Sequence, residues 1–129
     1  MAQGLRALGL APDPDRERAL LHYLTLLARW NRVYNLTAVD DPDAMVQRHL
    51  LDSLAAVPLL RGGTFVDVGS GAGLPGIPLA IWMSDRHFTL LDRSARKTRF
   101  LTQVKIELRL DNVQVLHARV ESWRPATGF

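Results

Sequence analysis

The sequence predicts an α/β fold: a parallel sheet with helices between its strands, preceded by a helical cap. Three observations lead there. From Thr64 onward short apolar runs alternate with longer stretches of helical period, which is the order that makes βαβ units. A glycine run, Gly69-Ser70-Gly71-Ala72-Gly73, stands directly after the first of those short runs, where a strand would turn into a helix. The chain has 129 residues, 47% of them apolar and 22% charged, enough to bury the core of one ordinary domain and too few for two.

The elements follow in order. In Pro12-Asp13-Pro14-Asp15, Asp13 can cap a helix and Pro14 can occupy its first position, where no N–H is needed. Leu20, Leu21, Leu24, Leu27 and Ala28 then recur at helical spacing, with Asp15 and Glu17 near the start and Arg29 and Arg32 near the end, as the macrodipole favours. Asp41 before Pro42 opens a second helix that carries Met45, His49, Leu50 and Leu54 towards Pro58. Arg61-Gly62-Gly63 stops it. Strands are expected over 64–68, 87–91 and 113–116, and helices over 74–83 and 96–108. Residues 1–63 thus form the helical cap and 64–129 the start of the sheet domain, as two layers of one unit.

Composition narrows the chemistry. The absence of cysteine removes a disulfide framework, a thiolate zinc site and a cysteine nucleophile, and suits a reducing compartment. Lys and Arg number 16 against 13 Asp and Glu, a net charge of +3 that tilts towards a nucleic-acid partner. No apolar run reaches the roughly 18 residues of a membrane helix, and Met-Ala-Gln-Gly-Leu-Arg lacks the pattern of a signal peptide. A cytoplasmic protein without a membrane partner is expected.

The glycine run carries two overlapping patterns, Gly69-x-Gly71-x-Gly73 after Asp67 and Gly71-x-Gly73-x-x-Gly76. The second matches the dinucleotide fingerprint, and Asp92 follows at the end of the next strand, where an acid can grip ribose hydroxyls. A backbone free of side chains can approach a ligand closely and a helix start offers unpaired N–H groups, so a nucleoside cofactor is expected. The other meaning of these residues is a tight turn beside a solvated acid. Asp67, with Pro75 and Pro78 stiffening the exit, suits a loop that holds a small amino-acid moiety rather than two phosphates.

Residues 66–80, Val-Asp-Val-Gly-Ser-Gly-Ala-Gly-Leu-Pro-Gly-Ile-Pro-Leu-Ala, resemble motif I of the RsmG family, also called GidB, of S-adenosylmethionine-dependent ribosomal RNA methyltransferases. Three further segments agree in order and spacing: Trp30-Asn31 with Asn35-Leu36-Thr37; Arg48-His49 with Asp52-Ser53-Leu54; and Leu90-Leu91-Asp92 followed by Lys97 and Arg99-Phe100-Leu101. The resemblance runs from about Leu20 to the end. It implies a class I methyltransferase fold, Rossmann-like, and methyl transfer from S-adenosyl-L-methionine to N7 of a guanine in the decoding-region loop of 16S rRNA, within the small ribosomal subunit.

The resemblance also assigns residues. Gly69, Ser70, Gly71 and Gly73 would line the methionine end of the cofactor, Leu74 would border it, Asp92 would take the ribose hydroxyls, and Arg119, Val120 and Glu121 would lie against the adenine. Guanine N7 has a free lone pair, so no general base is needed and no catalytic residue is assigned. Ser70 is not a nucleophile elbow, because Val68 stands where that motif has glycine. His22, His49, His87 and His117 lack metal-ligand spacing; Arg48 and His49 belong to the family's cap segment, and with Arg93, Arg96 and Lys97 they are candidate RNA contacts. A solvated helix face is the ordinary meaning of such a basic run.

The chain reaches Phe129 soon after the third expected strand. Relative to the family pattern the sheet is incomplete, lacking the later segment with an arginine near the cofactor and part of the guanine pocket. An open sheet edge favours self-association, and the chain by itself would be an inactive fragment. Two other readings stand beside methyl transfer: a noncatalytic nucleoside-binding fragment and an NAD-dependent oxidoreductase.

Overall fold

The computed structural model describes residues 6–11, 13–34, 48, 50–69 and 71–119. Helix α1 spans Pro14–Tyr34 and begins as its residues require: the Asp13 carboxylate accepts from the N–H groups of Asp15 (3.1 Å) and Arg16 (3.2 Å), two donors that a helix start leaves without partners. Its buried face is Leu20, Tyr23, Leu26 and Leu27. Leu21, expected on that face, is 49% exposed: the stripe follows positions 20, 23, 26 and 27, and 21 falls on its flank. The expected opening of the next helix at Asp41 lies outside the described residues. Residues 50–54 are helical, and a 3-10 turn, Val57–Leu59, leads to the sheet.

Strands β1 (Thr64–Val68), β2 (His87–Asp92) and β3 (Val113–His117) form a parallel sheet in the order β1-β2-β3. Helix α2 (Gly76–Trp82) joins the first pair and α3 (Ala95–Leu108) the second. Pairing Phe65 with Phe88, Asp67 with Leu90 and Phe88 with Val113 puts these side chains on one face. There the Phe65 and Phe88 rings stack at 5.1 Å. Leu90 of that face, Ile77 of α2, Phe100, Leu101 and Val104 of α3, and Leu20, Tyr23, Leu50 and Leu54 of the cap segment share one core. The described residues of the cap thus share one interior with the sheet and its helices.

Both sheet helices begin later or earlier than the sequence suggests, for local reasons. Residues 71–75 form turns, so α2 starts at Gly76 rather than at 74; Pro78 sits in its first turn, where a missing N–H costs nothing. Helix α3 starts at Ala95 because Ser94 caps it, its hydroxyl accepting from the Lys97 N–H at 3.3 Å. Arg109, in the left-handed region at φ 54°, ends that helix. Asn112 then donates to the carbonyls of Ala80 (3.0 Å) and Arg86 (3.0 Å), pinning the end of α2 to the entrance of β3. Among the described residues, β1 and β3 each pair on one side only.

Candidate functional site

The carboxyl ends of parallel strands are where open α/β sheets bind ligands, and the glycine loop leaves β1 there. Gly69 donates its N–H to the Leu91 carbonyl at 2.7 Å, which holds the loop's first residue against β2. Gly71 and Gly73 follow with φ of 55° and 93°, a region that ordinary side chains rarely adopt. Gly73 is also enclosed: a Cβ there would come within 2.7 Å of Ile77 Cγ1 and 3.2 Å of Leu101 Cδ2. Its role is to let the loop pass tightly over α2 and α3. Gly71 is different, with nothing nearer to such a Cβ than 3.8 Å.

Asp92, 8% exposed, ends β2 with both carboxylate oxygens engaged. One accepts from the Gly71 N–H at 3.0 Å and the other from the Ser94 N–H at 2.8 Å. Each oxygen keeps a second lone pair. The acid therefore shapes the loop as well as facing the cleft, a structural role that the sequence reading did not give it. A cleft of about 360 Å³ opens beside it, bordered by Gly69, Leu91, Asp92, Arg93, Lys97 and Arg119. Nearby, His117 Nε2 lies 3.0 Å from the Arg93 carbonyl.

Of the residues named from sequence, Gly69, Asp92 and Arg119 border one cleft, and Gly71 is tied to it through Asp92. Arg93 and Lys97, named as RNA contacts, border the same cleft. Leu74 lies elsewhere, along an apolar groove with Ala56, Leu60 and Leu79. Arg48 and Arg96 are exposed. Ser70, His49, Val120 and Glu121 lie outside the described residues. Among the described residues no group of His, Asp or Glu could hold a metal ion, and no helix is long and apolar enough to cross a membrane.

Asp67 and Tyr23 complete the loop's surroundings. The Asp67 carboxylate accepts from the Gly76 N–H at 3.1 Å, which puts negative charge at the entrance of α2. Dinucleotide-binding folds seat a diphosphate at that place, so the Gly71-x-Gly73-x-x-Gly76 spacing comes without the electrostatics that fold uses. Tyr23, which sequence reasoning did not name, donates its phenol to the Ala72 carbonyl at 2.7 Å across 49 positions of chain. Burial, and then the neighbouring Asp67 charge, push its ionisation well above the ordinary phenol range.

The cleft fits a nucleoside in the donor set it offers: a strand-end carboxylate with lone pairs to spare, exposed loop backbone at Gly69, and basic side chains at its rim. Comparison with known proteins gives the chain's relatives. The family model for rRNA small subunit methyltransferase G matches residues 16–129. Ribosomal RNA small subunit methyltransferase G of Stutzerimonas stutzeri (strain A1501) is 57% identical over 131 residues, which take in 100% of this chain and 61% of that protein. The protein of the same name from Pseudomonas aeruginosa (strain LESB58) is 57% identical over 130 residues, again 100% of this chain and 61% of the relative. That of Pseudomonas fluorescens (strain Pf0-1) is 55% identical over 129 residues, with 100% and 60% covered. The chain thus spans about three fifths of the length of these relatives. Matched along most of its length, with its glycine loop and strand-end acid assembled at one cleft, the chain belongs to the rRNA small subunit methyltransferase G family.

Proposed function

We propose that the cleft binds S-adenosyl-L-methionine and that the chain serves methylation of guanine N7 in 16S rRNA, in the cytoplasm and on RNA of the small ribosomal subunit. The observation that carries this reading is the Asp92 bridge: one carboxylate fixes the Gly71 amide and still presents lone pairs to the cleft. When bound, the donor supplies an electrophilic methyl group. Asp92 would hold its ribose hydroxyls, the backbone at Gly69 and Gly71 would run along its amino-acid end, and Arg119 would lie towards the base with Val120 and Glu121.

Little else is asked of the side chains. Guanine N7 attacks with a lone pair it already has, so the protein contributes alignment and exclusion of water rather than proton transfer. Holding two reactants in line can lower a barrier by about 7–11 kcal/mol in the best oriented cases. The basic rim of Arg93, Lys97 and Arg119 suits an approaching phosphate backbone, and Arg48 and Arg96 are exposed as well. Calorimetric titration with S-adenosylhomocysteine, and separately with NADH, tests the donor site: binding of the first alone is expected, and binding of NADH alone would restore the oxidoreductase reading. Affinity for a 16S rRNA loop should fall steeply as salt rises, through counterion release; salt-insensitive binding would remove the basic rim from the RNA interface.

Self-association through a sheet edge belongs to the same reading. Among the described residues β1 pairs on one side only, and an unpaired edge is a template for another strand. A sedimentation coefficient that rises with protein concentration is expected; a constant monomer mass would exclude it.

A further inference from the structure

The peptide unit between Ala72 and Gly73 sits at the middle of the glycine loop, and its carbonyl is held by a residue from a different layer. We infer that Tyr23 is a positioning residue, coupling the docking of α1 to the shape of the donor-binding loop. The bond from its phenol to the Ala72 carbonyl is short and buried, 2.7 Å long with Tyr23 0% exposed. Ala72 lies between Gly71 and Gly73, two of the three loop glycines of positive φ, where the backbone has the most freedom to rotate. Fixing that one carbonyl removes it.

The surroundings keep the phenol protonated and so able to donate. Burial, and after it the Asp67 carboxylate, disfavour the phenolate, so the O–H is present throughout the working pH range. The ring rests against Phe100 of α3 at 6.5 Å, and Phe100 in turn meets Trp30 of α1 at 5.6 Å. The loop is therefore anchored from three directions: by Tyr23 from α1, by Asp92 from the end of β2, and by the Gly73 carbonyl, which accepts from the Ile77 N–H at 2.7 Å at the start of α2. The first anchor depends on the cap being in place. A cap that loosens would release the loop even though, among the described residues, none of the cap borders the cleft beside Asp92.

This inference rests on the reading of the cleft as a donor site, and its test separates the two. Tyr23→Phe keeps the ring and removes the donor, leaving a buried carbonyl short of a partner. Leu27→Val trims a buried side chain of the same helix and leaves the phenol alone. Amide hydrogen exchange over residues 71–76 is compared with exchange over β2, and S-adenosylhomocysteine is titrated into each 129-residue variant. For Tyr23→Phe, loop exchange should accelerate about tenfold beyond any change in β2, and affinity should fall about tenfold, the size expected of one buried hydrogen bond. For Leu27→Val, loop and strand should shift together and affinity should stay within about twofold. Equal shifts of loop and β2 in Tyr23→Phe would overturn the coupling, as would unchanged affinity in a loosened loop. If the wild-type chain binds no S-adenosylhomocysteine, the donor-site reading falls by itself and the exchange comparison still decides whether Tyr23 holds the loop.

Discussion

Gly76→Ala should be far more damaging than Gly71→Ala, costing about 3 kcal/mol of stability, at the upper end of what an extra methyl in a packed site does. The backbone angle is not the reason, because Gly76 begins α2 and lies outside the positive-φ set. Space is. A methyl there would collide with Leu90 Cδ2 and lie 2.7 Å from the Asp67 carboxylate oxygen that accepts the Gly76 N–H. Leu90 is 0% exposed in the centre of the sheet and has nowhere to move. Pushing the half-buried Asp67 aside instead would strip a partner from the Gly76 amide. Gly71→Ala is the contrast. It has a comparable sequence context, yet its new methyl would meet nothing nearer than 3.8 Å, and only its φ of 55° opposes it, by about 1 kcal/mol. Urea unfolding of the two variants measures the difference. Equal midpoints would mean that the loop is loosely packed and that the enclosure of Gly76 is not real.

These two glycines show what a sequence can and cannot convey. That a strand runs into a glycine loop and then a helix was legible, because propensity, spacing and turn chemistry are all written within twenty residues of one another. The division of labour inside the loop was not. Gly71, Gly73 and Gly76 look alike in a pattern, and only the positions of Leu90, Ile77, Leu101 and Asp67 separate one that borders open space from two that are sealed. The cap helix follows the same rule. Its start was readable from Asp13 and Pro14, whereas the exact buried stripe, with Tyr23 and Leu26 in it and Leu21 out of it, depends on how α1 lies across α2 and α3. The Ser94 cap carried a usable signal, a serine just before an amphipathic run, and the expected start of the helix nonetheless falls one residue late. Tyr23 carried none. A phenol that reaches a carbonyl 49 residues away leaves no local trace, and neither does the placement of Leu74 on a groove apart from Asp92.

The largest effect on ligand binding is expected at Asp92, and the geometry reverses the order that sequence alone suggests. If the acid served ribose hydroxyls and nothing more, its loss would cost one or two hydrogen bonds, less than distortion of the loop. In the fold it also accepts from the Gly71 and Ser94 amides, so Asp92→Ala removes ligand contacts and frees the loop at once. Hydrogen bonds to a charged group are worth about 1.5–3 kcal/mol each, and the loss of two or more amounts to a fall in S-adenosylhomocysteine affinity of about a hundredfold or greater. Asp92→Asn is the sharper probe. An amide side chain offers one acceptor and one donor group, so whichever way it turns, either Gly71 or Ser94 brings an N–H against an NH₂. The neutral isostere should therefore behave more like alanine than its shape implies, with binding reduced about thirtyfold and exchange quickened at Gly71 or at Ser94, but not at both. Calorimetry gives the first quantity and amide exchange the second. Wild-type affinity in Asp92→Asn would show that the carboxylate neither shapes the loop nor meets the ligand, and the cleft would then have to be read without it.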